Sequence, residues 1–225
     1  MGQLVLDDTY KVFEGKYVDI MPALKAEGRI PMSISALMKR RLQVLESLHA
    51  DKVLVDNWWN KSFSTCDGVA YFKGEIKIVP NSELLLNISR NSEFSEGALV
   101  LTETQYKELN PLGMTYPRKY METGAMPKHE VMKHPIWQAV AGNVLSDYVN
   151  AQFKRYNNKA TMNINLGSET IAPTMRALEL QCHGYRSKAM SHVGWSYLCN
   201  VYSLDTTSVR LIGVRKDLEK TLKTD

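Results

Sequence analysis

The chain has 225 residues, 44% hydrophobic and 23% charged, with a net charge of +4. That is enough apolar content for one substantial core, and too much for disorder over most of the length. The longest apolar runs, ALVL at 98–101 and ELLL at 83–86, are far short of a membrane span, and no internal repeat marks a solenoid.

The first fifteen residues, MGQLVLDDTYKVFEG, carry two aspartates where a secretory leader needs an apolar core. The three cysteines, Cys66, Cys182 and Cys199, cannot all pair within one chain, so reduced thiols in a cytoplasmic setting are expected. QLVL and KYVDI read as short strands with a turn around Gly15. The clearest helix covers 33–48, capped by Ser33 after the Pro31 break. Ile34, Leu37, Met38, Val44, Leu45 and Leu48 form its apolar stripe, with Lys39, Gln43 and Glu46 opposite.

Arg41 falls in the centre of that stripe. An arginine there must snorkel, pair with a carboxylate or meet an anionic ligand, and Asp19, Asp51 and Asp56 are the candidate carboxylates. Trp58 and Trp59 are adjacent, so regular structure favours burying one and leaving the other for a binding surface. The alternative, both packed at a sheet edge under the following hairpin, is preferred. That hairpin spans 69–79 and turns at Lys73-Gly74, where Gly74 can take a positive φ. Ile76 and Ile78 alternate with Glu75 and Lys77, which suggests a sheet with one wet face.

SELLLNIS reads as a short helix or turn. GALVLTETQYKELN reads as a strand running into a helix, with capping-box spacing from Thr102 to Gln105 and a stop at Asn110-Pro111. Pro127 and Pro135 suit first-turn positions. From Ile136 to about Tyr156 the pattern is helical, weakened at Gly142. The last sixty residues return to strands: TMNIN, RALELQ, WSYLCNVYS and VRLIGVR, with LDTT as a hairpin turn between the last two. This order predicts an α+β fold, a mixed or mostly antiparallel sheet packed against a few helices. Residues 1–225 read as one domain, with a loose subdivision possible near 117.

The stretch 180–199, LQCHGYRSKAMSHVGWSYLC, concentrates chemistry-bearing residues. Cys182, His183 and His192 are the candidate catalytic groups, because a thiol needs a neighbouring base or cation to act as a nucleophile. Zinc-site spacing is absent, and adjacent strand residues such as Cys182 and His183 point to opposite faces, so no metal is expected. Cys182 and Cys199 read as buried structural thiols on strands. Gly184, beside Arg186 and Lys188, can form a loop that approaches an anion or simply a turn.

Lys39, Arg40 and Arg41 form a second basic group. They could face phosphates, with ALKAEGRIPMS as the first half of a helix-turn-helix. Residues 118–159 are also basic, with seven Lys or Arg against three Asp or Glu. The phosphate loops of nucleotide enzymes and the nucleophile elbow are absent. No complete constellation assigns an activity. Two readings follow. The first is a binding module whose basic residues Lys39, Arg40, Arg41, Arg186 and Lys188 contact nucleic acid or an acidic protein surface, with no membrane partner. The second is a small cofactor-free enzyme built on Cys182, His183 or His192.

Overall fold

The computed structural model describes residues 9–47, 52–109, 115–167, 172–187 and 190–215, with backbone only for 183–187 and 190–195. The strands are β1 (Tyr10–Lys16), β2 (Arg29–Pro31), β3 (Phe63–Phe72), β4 (Glu75–Val79), β5 (Phe94–Ser95), β6 (Ala98–Val100), β7 (Thr115–Pro117), β8 (Thr161–Asn165), β9 (Thr174–Ser187), β10 (Met190–Asn200) and β11 (Ser208–Arg215). The α-helices are α1 (Tyr17–Ala26), α2 (Ile34–Glu46), α3 (Lys52–Trp59), α4 (Glu83–Leu86), α5 (Glu103–Glu108), α6 (Lys128–Lys133), α7 (Pro135–Ala141) and α8 (Leu145–Arg155). Among the described residues no helix is long and apolar enough to cross a membrane.

One sheet organises the chain, in the order β1-β11-β3-β9-β10-β8, with β2, β4, β6 and their partners branching from it. The β11–β3 and β10–β8 pairs are parallel and the others antiparallel. The fold is therefore α+β with a mixed sheet. Strands from either side of residue 117 pair in it, as β1 does with β11 and β3 with β9.

Period-two alternation sends each strand's side chains into two cores. Leu178, Leu180 and Cys182 of β9 meet α2, α3, α6, α7 and α8, while Met175 and Ala177 meet α1, α4 and α5. A register shift in β3 between Ser64 and Gly68 lets its first residues lie beside β11 and its last beside β4. The backbone at 65–67 bends out of the ladder there, and Asp67 turns inward.

Several expectations hold. Ser33 caps α2 through the Ala36 N–H, and Ile34, Leu37, Met38 and Val44 are buried. The β3–β4 hairpin turns at Lys73-Gly74, with φ of 50° and 79°. Thr102 and Gln105 form a capping box, and Pro135 opens α7.

Others are corrected. KYVDI is not a strand, because α1 begins at Tyr17. Tyr17, Val18, Met21 and Leu24 recur at helical spacing and pack on the sheet. The helix from 136 breaks at Gly142, whose φ of 58° and ψ of −136° suit only glycine. The LDTT turn does not close a hairpin, since β11 crosses to lie between β1 and β3. The outer face of β4 is wet only at its first residue, Glu75. Lys77 is buried, and its Nζ donates to the Tyr106 and Lys107 carbonyls at the end of α5. Gly184 is inside β9, opposite Gly194, and not in a loop. Trp58 and Trp59 are both fully buried, as the preferred reading has it, but on helix α3 and not at a sheet edge. Leu45 is half-buried. QLVL, Leu48, Asp51, Asn110-Pro111, Lys188 and the basic tail from 216 lie outside the described residues.

Candidate functional site

Helix α2 separates two environments. On its inner side Arg41 is fully buried, and no carboxylate meets it among the described residues. Its Nε donates to Trp58 O at 2.8 Å and its Nη2 to Lys61 O at 2.8 Å. Its Nη1 donates to the Tyr148 hydroxyl at 3.0 Å and Cys182 Sγ at 2.9 Å. Asp19 is instead paired with Arg90, and Asp56 with Arg155.

The same sulfur lies 3.2 Å from Tyr148 Oη and 3.1 Å from Ser196 Oγ. Trp59 donates its indole N–H to Arg41 O and stacks on the Tyr148 ring at 5.2 Å. Burial works against the Arg41 charge, but Cys182 and Tyr148 outweigh it and hold the guanidinium above its ordinary pKa. Burial, then the nearby Cys182 sulfur, pushes the Tyr148 hydroxyl up, against the pull of the Arg41 charge. Arg41, Tyr148, Cys182 and Ser196 are all almost wholly enclosed, and a nucleophile needs access to its substrate. This arrangement ties α2, α8, β9, β10 and the end of α3 together.

The other catalytic candidates are placed by backbone. His183 pairs with Trp195 across β9–β10, and His192 lies in the irregular stretch between Met190 and Val193. Arg186 is in β9 near its end. Cys199 is half-buried. Burial, and then the Glu179 charge, push its thiol up to about 12. It lines a cleft of about 880 Å³ together with Arg176. Arg176 is a second buried arginine, and it donates to the carbonyls of Glu96, Val201 and Tyr202. Its signal in the sequence was a charge in register with Leu178 and Leu180, the same kind of signal that singled out Arg41. Among the described residues no three His, Cys, Asp or Glu side chains converge as a metal site.

On the outer side of α2 lies a cleft of about 480 Å³. Lys39, Arg40 and Gln43 form one wall, and Ser33 and Ser35 lie at the helix start. Ile30, Met32 and Val214 are among its apolar lining, and Cys66, Asn81 and Asn143 also line it. Among the described residues that line it, none is Asp or Glu. The Arg40 guanidinium sits 4.4 Å from the Tyr10 ring centre and 5.5 Å from that of Trp58, positions that hold a cation over aromatic faces. Lys39 and Arg40 thus share one concavity, whereas Arg41, next in sequence, points the opposite way into the core.

Helix α2 is not the reading helix of a helix-turn-helix. Strand β2 separates it from α1, and Ala36 and Glu46 are its exposed positions. Comparison of the chain with protein-family models, curated proteins and solved structures finds no match.

Proposed function

We propose that the protein is a binding module that seats an acidic segment of a partner protein in the cleft beside α2. The observation that carries this is the charge of the cleft's described lining: Lys39 and Arg40 are its charged members, and its described residues include no carboxylate. Such a surface steers and orients an anionic partner. The apolar lining adds contact area for the partner's non-polar atoms, and Gln43, Asn81 and Asn143 supply neutral hydrogen-bonding groups.

An acidic peptide fits better than nucleic acid. Unspecific binding of single strands relies on open aromatic rings on which bases stack. Tyr10, the aromatic ring among the cleft's described lining residues, is buried, as is Trp58, and Arg40 lies over both. A duplex major groove takes in a protruding helix, and α2 is largely packed on its neighbours. The free thiols Cys66, Cys182 and Cys199 suit an intracellular, reducing setting for this binding. The enzyme reading draws less support, because Cys182 is sealed within the core.

The test is fluorescence polarisation with a labelled oligoglutamate peptide, at low and moderate salt, beside a labelled DNA single strand and a duplex. Peptide binding should weaken as salt rises, and Lys39→Glu should weaken it at least about tenfold by reversing a charge in the cleft. Tighter binding of either DNA, or equal peptide binding by wild type and Lys39→Glu, would reject the proposal.

A further inference from the structure

Asp67 is the buried carboxylate of the β3 bend, 1% exposed, directly behind the cleft. Its Oδ2 accepts the Ile34 N–H at 2.6 Å and its Oδ1 the Asn81 N–H at 2.8 Å. These two amides belong to separate parts of the cleft wall. Ile34 begins α2 between the lining residues Ser33 and Ser35, and Asn81 itself lines the cleft. Asn81 is exposed and left-handed, with φ of 49°, and its side-chain oxygen receives the Cys66 thiol at 3.3 Å. One carboxyl group therefore holds both sides of the inner wall.

Opposite charge for Asp67 is missing from the described groups around it. From α1 it faces the Tyr17 hydroxyl, which donates to Thr65 O. From its own strand it has Cys66, and from α2 the partial positive charge of the helix N-terminus. The cations of α2 are engaged elsewhere: Arg41 in the opposite core, and Lys39 and Arg40 along the cleft. On α4, Glu83 is exposed to solvent, and Ser82 caps the helix through the Leu85 N–H.

We propose that Asp67 couples its own ionisation to the opening of the cleft's inner wall, so that the neutral carboxyl favours the closed wall and the carboxylate favours an opened one. The inference rests on the reading of this cleft as the binding site and supplies its regulation by pH. Two effects compete. Two N–H donors favour the charged carboxylate, while removal from water disfavours it. Burial wins and pushes Asp67 up to about 6, with the Asn81 and Ile34 amides pulling the other way.

When the wall opens and water reaches Asp67, the group returns toward an ordinary carboxyl pKa of about 4. The closed form then holds the proton more tightly than the open form. Linkage requires the closed form to gain as pH falls through about 6 and to lose as pH rises through it. A difference of about two pKa units allows up to about a hundredfold change in the opening equilibrium between pH about 4 and pH about 7. Asn81, exposed and next to the short helix α4, is the segment placed to give way.

The test uses the full chain without any ligand, so it stands or falls separately from the peptide titration. Carbon-13 NMR of the Asp67 carboxyl gives its titration directly. Amide hydrogen exchange, corrected for intrinsic rates, gives opening at Ile34 and Asn81. Protection of both amides should fall by close to tenfold from pH about 5 to pH about 7.5, with a midpoint near that of Asp67. The Val201 amide, bonded to Ala177 O in the sheet, should stay constant. Asp67→Asn, which cannot ionise, should remove the pH dependence. Titration of Asp67 near 4, or protection at Ile34 and Asn81 that is flat or rises with pH, overturns the proposal on wild type alone, even if the variant does not fold.

Discussion

Replacing Arg41 by Met removes a buried guanidinium and keeps a side chain of similar length. Four groups then lose their donor: Trp58 O, Lys61 O, the Tyr148 hydroxyl and Cys182 Sγ. Bonds from a charged donor are worth about 1.5–3 kcal/mol each, so about 6–12 kcal/mol is lost in gross terms. Against this, the variant no longer carries a charge out of water, a relief of several kcal/mol. The balance is a loss of about 3–5 kcal/mol, because four buried acceptors are left without their donor and the relief of desolvation offsets only part of that. For a chain of this size that lowers the melting temperature by about 6–20 °C. Urea unfolding followed by tryptophan fluorescence is the assay, since Trp58 and Trp59 border the site. A variant within about 1 kcal/mol of wild type would show that these bonds contribute little beyond what desolvation costs, and would refute the reasoning.

At Cys182, serine and valine separate packing from polarity. A serine hydroxyl would have Arg41, Tyr148 and Ser196 as partners, so Cys182→Ser should cost under about 1.5 kcal/mol, although a buried hydroxyl without partners would cost more. Cys182→Val fills the same space without an acceptor and should cost about 2–3 kcal/mol; denaturant midpoints of the pair in the reverse order would contradict the cluster. Gly142→Ala meets no atom within 4 Å, so its cost of about 1–3 kcal/mol comes from the backbone conformation. Calorimetry showing no loss at Gly142→Ala would mean that α7 and α8 continue as one helix.

The legible parts of the fold are those encoded within one or two turns of chain. The Ser33 cap, the Thr102–Gln105 box and the Gly74 turn each need a few neighbouring residues, and each is present. KYVDI is ambiguous because five residues satisfy a strand as readily as a helix, and only the wider set Tyr17, Val18, Met21 and Leu24 distinguishes them. Both tryptophans are buried because α3 is covered on two sides. Trp58 packs against Tyr10 and Phe63, and Trp59 against Tyr148 of α8. A chain that brings residues 10 and 148 to either side of one short helix leaves no trace of it in the intervening sequence.

The site shows the same division. Arg41 is conspicuous as a charge in an apolar stripe, a pattern that points to a carboxylate partner. Two of its acceptors are main-chain carbonyls, which every residue carries and which only the tertiary fold selects. Arg176 repeats the solution on β9 with three carbonyls. Carbonyls balance a cation without a second ionising side chain; Arg176 uses them alone among its described acceptors, and Arg41 adds the Tyr148 hydroxyl and the Cys182 sulfur. Asp67 lacks the reciprocal arrangement: its two N–H donors leave it a buried acid pushed up to about 6 by desolvation. Buried charge is thus tied down where it joins the helices to the sheet, and left responsive to pH beside the cleft. The motif MKRR pointed to the outer wall of that cleft. The carboxyl behind it comes from STCDGVAYF, a strand sequence in which nothing distinguishes Asp67 from an ordinary exposed residue.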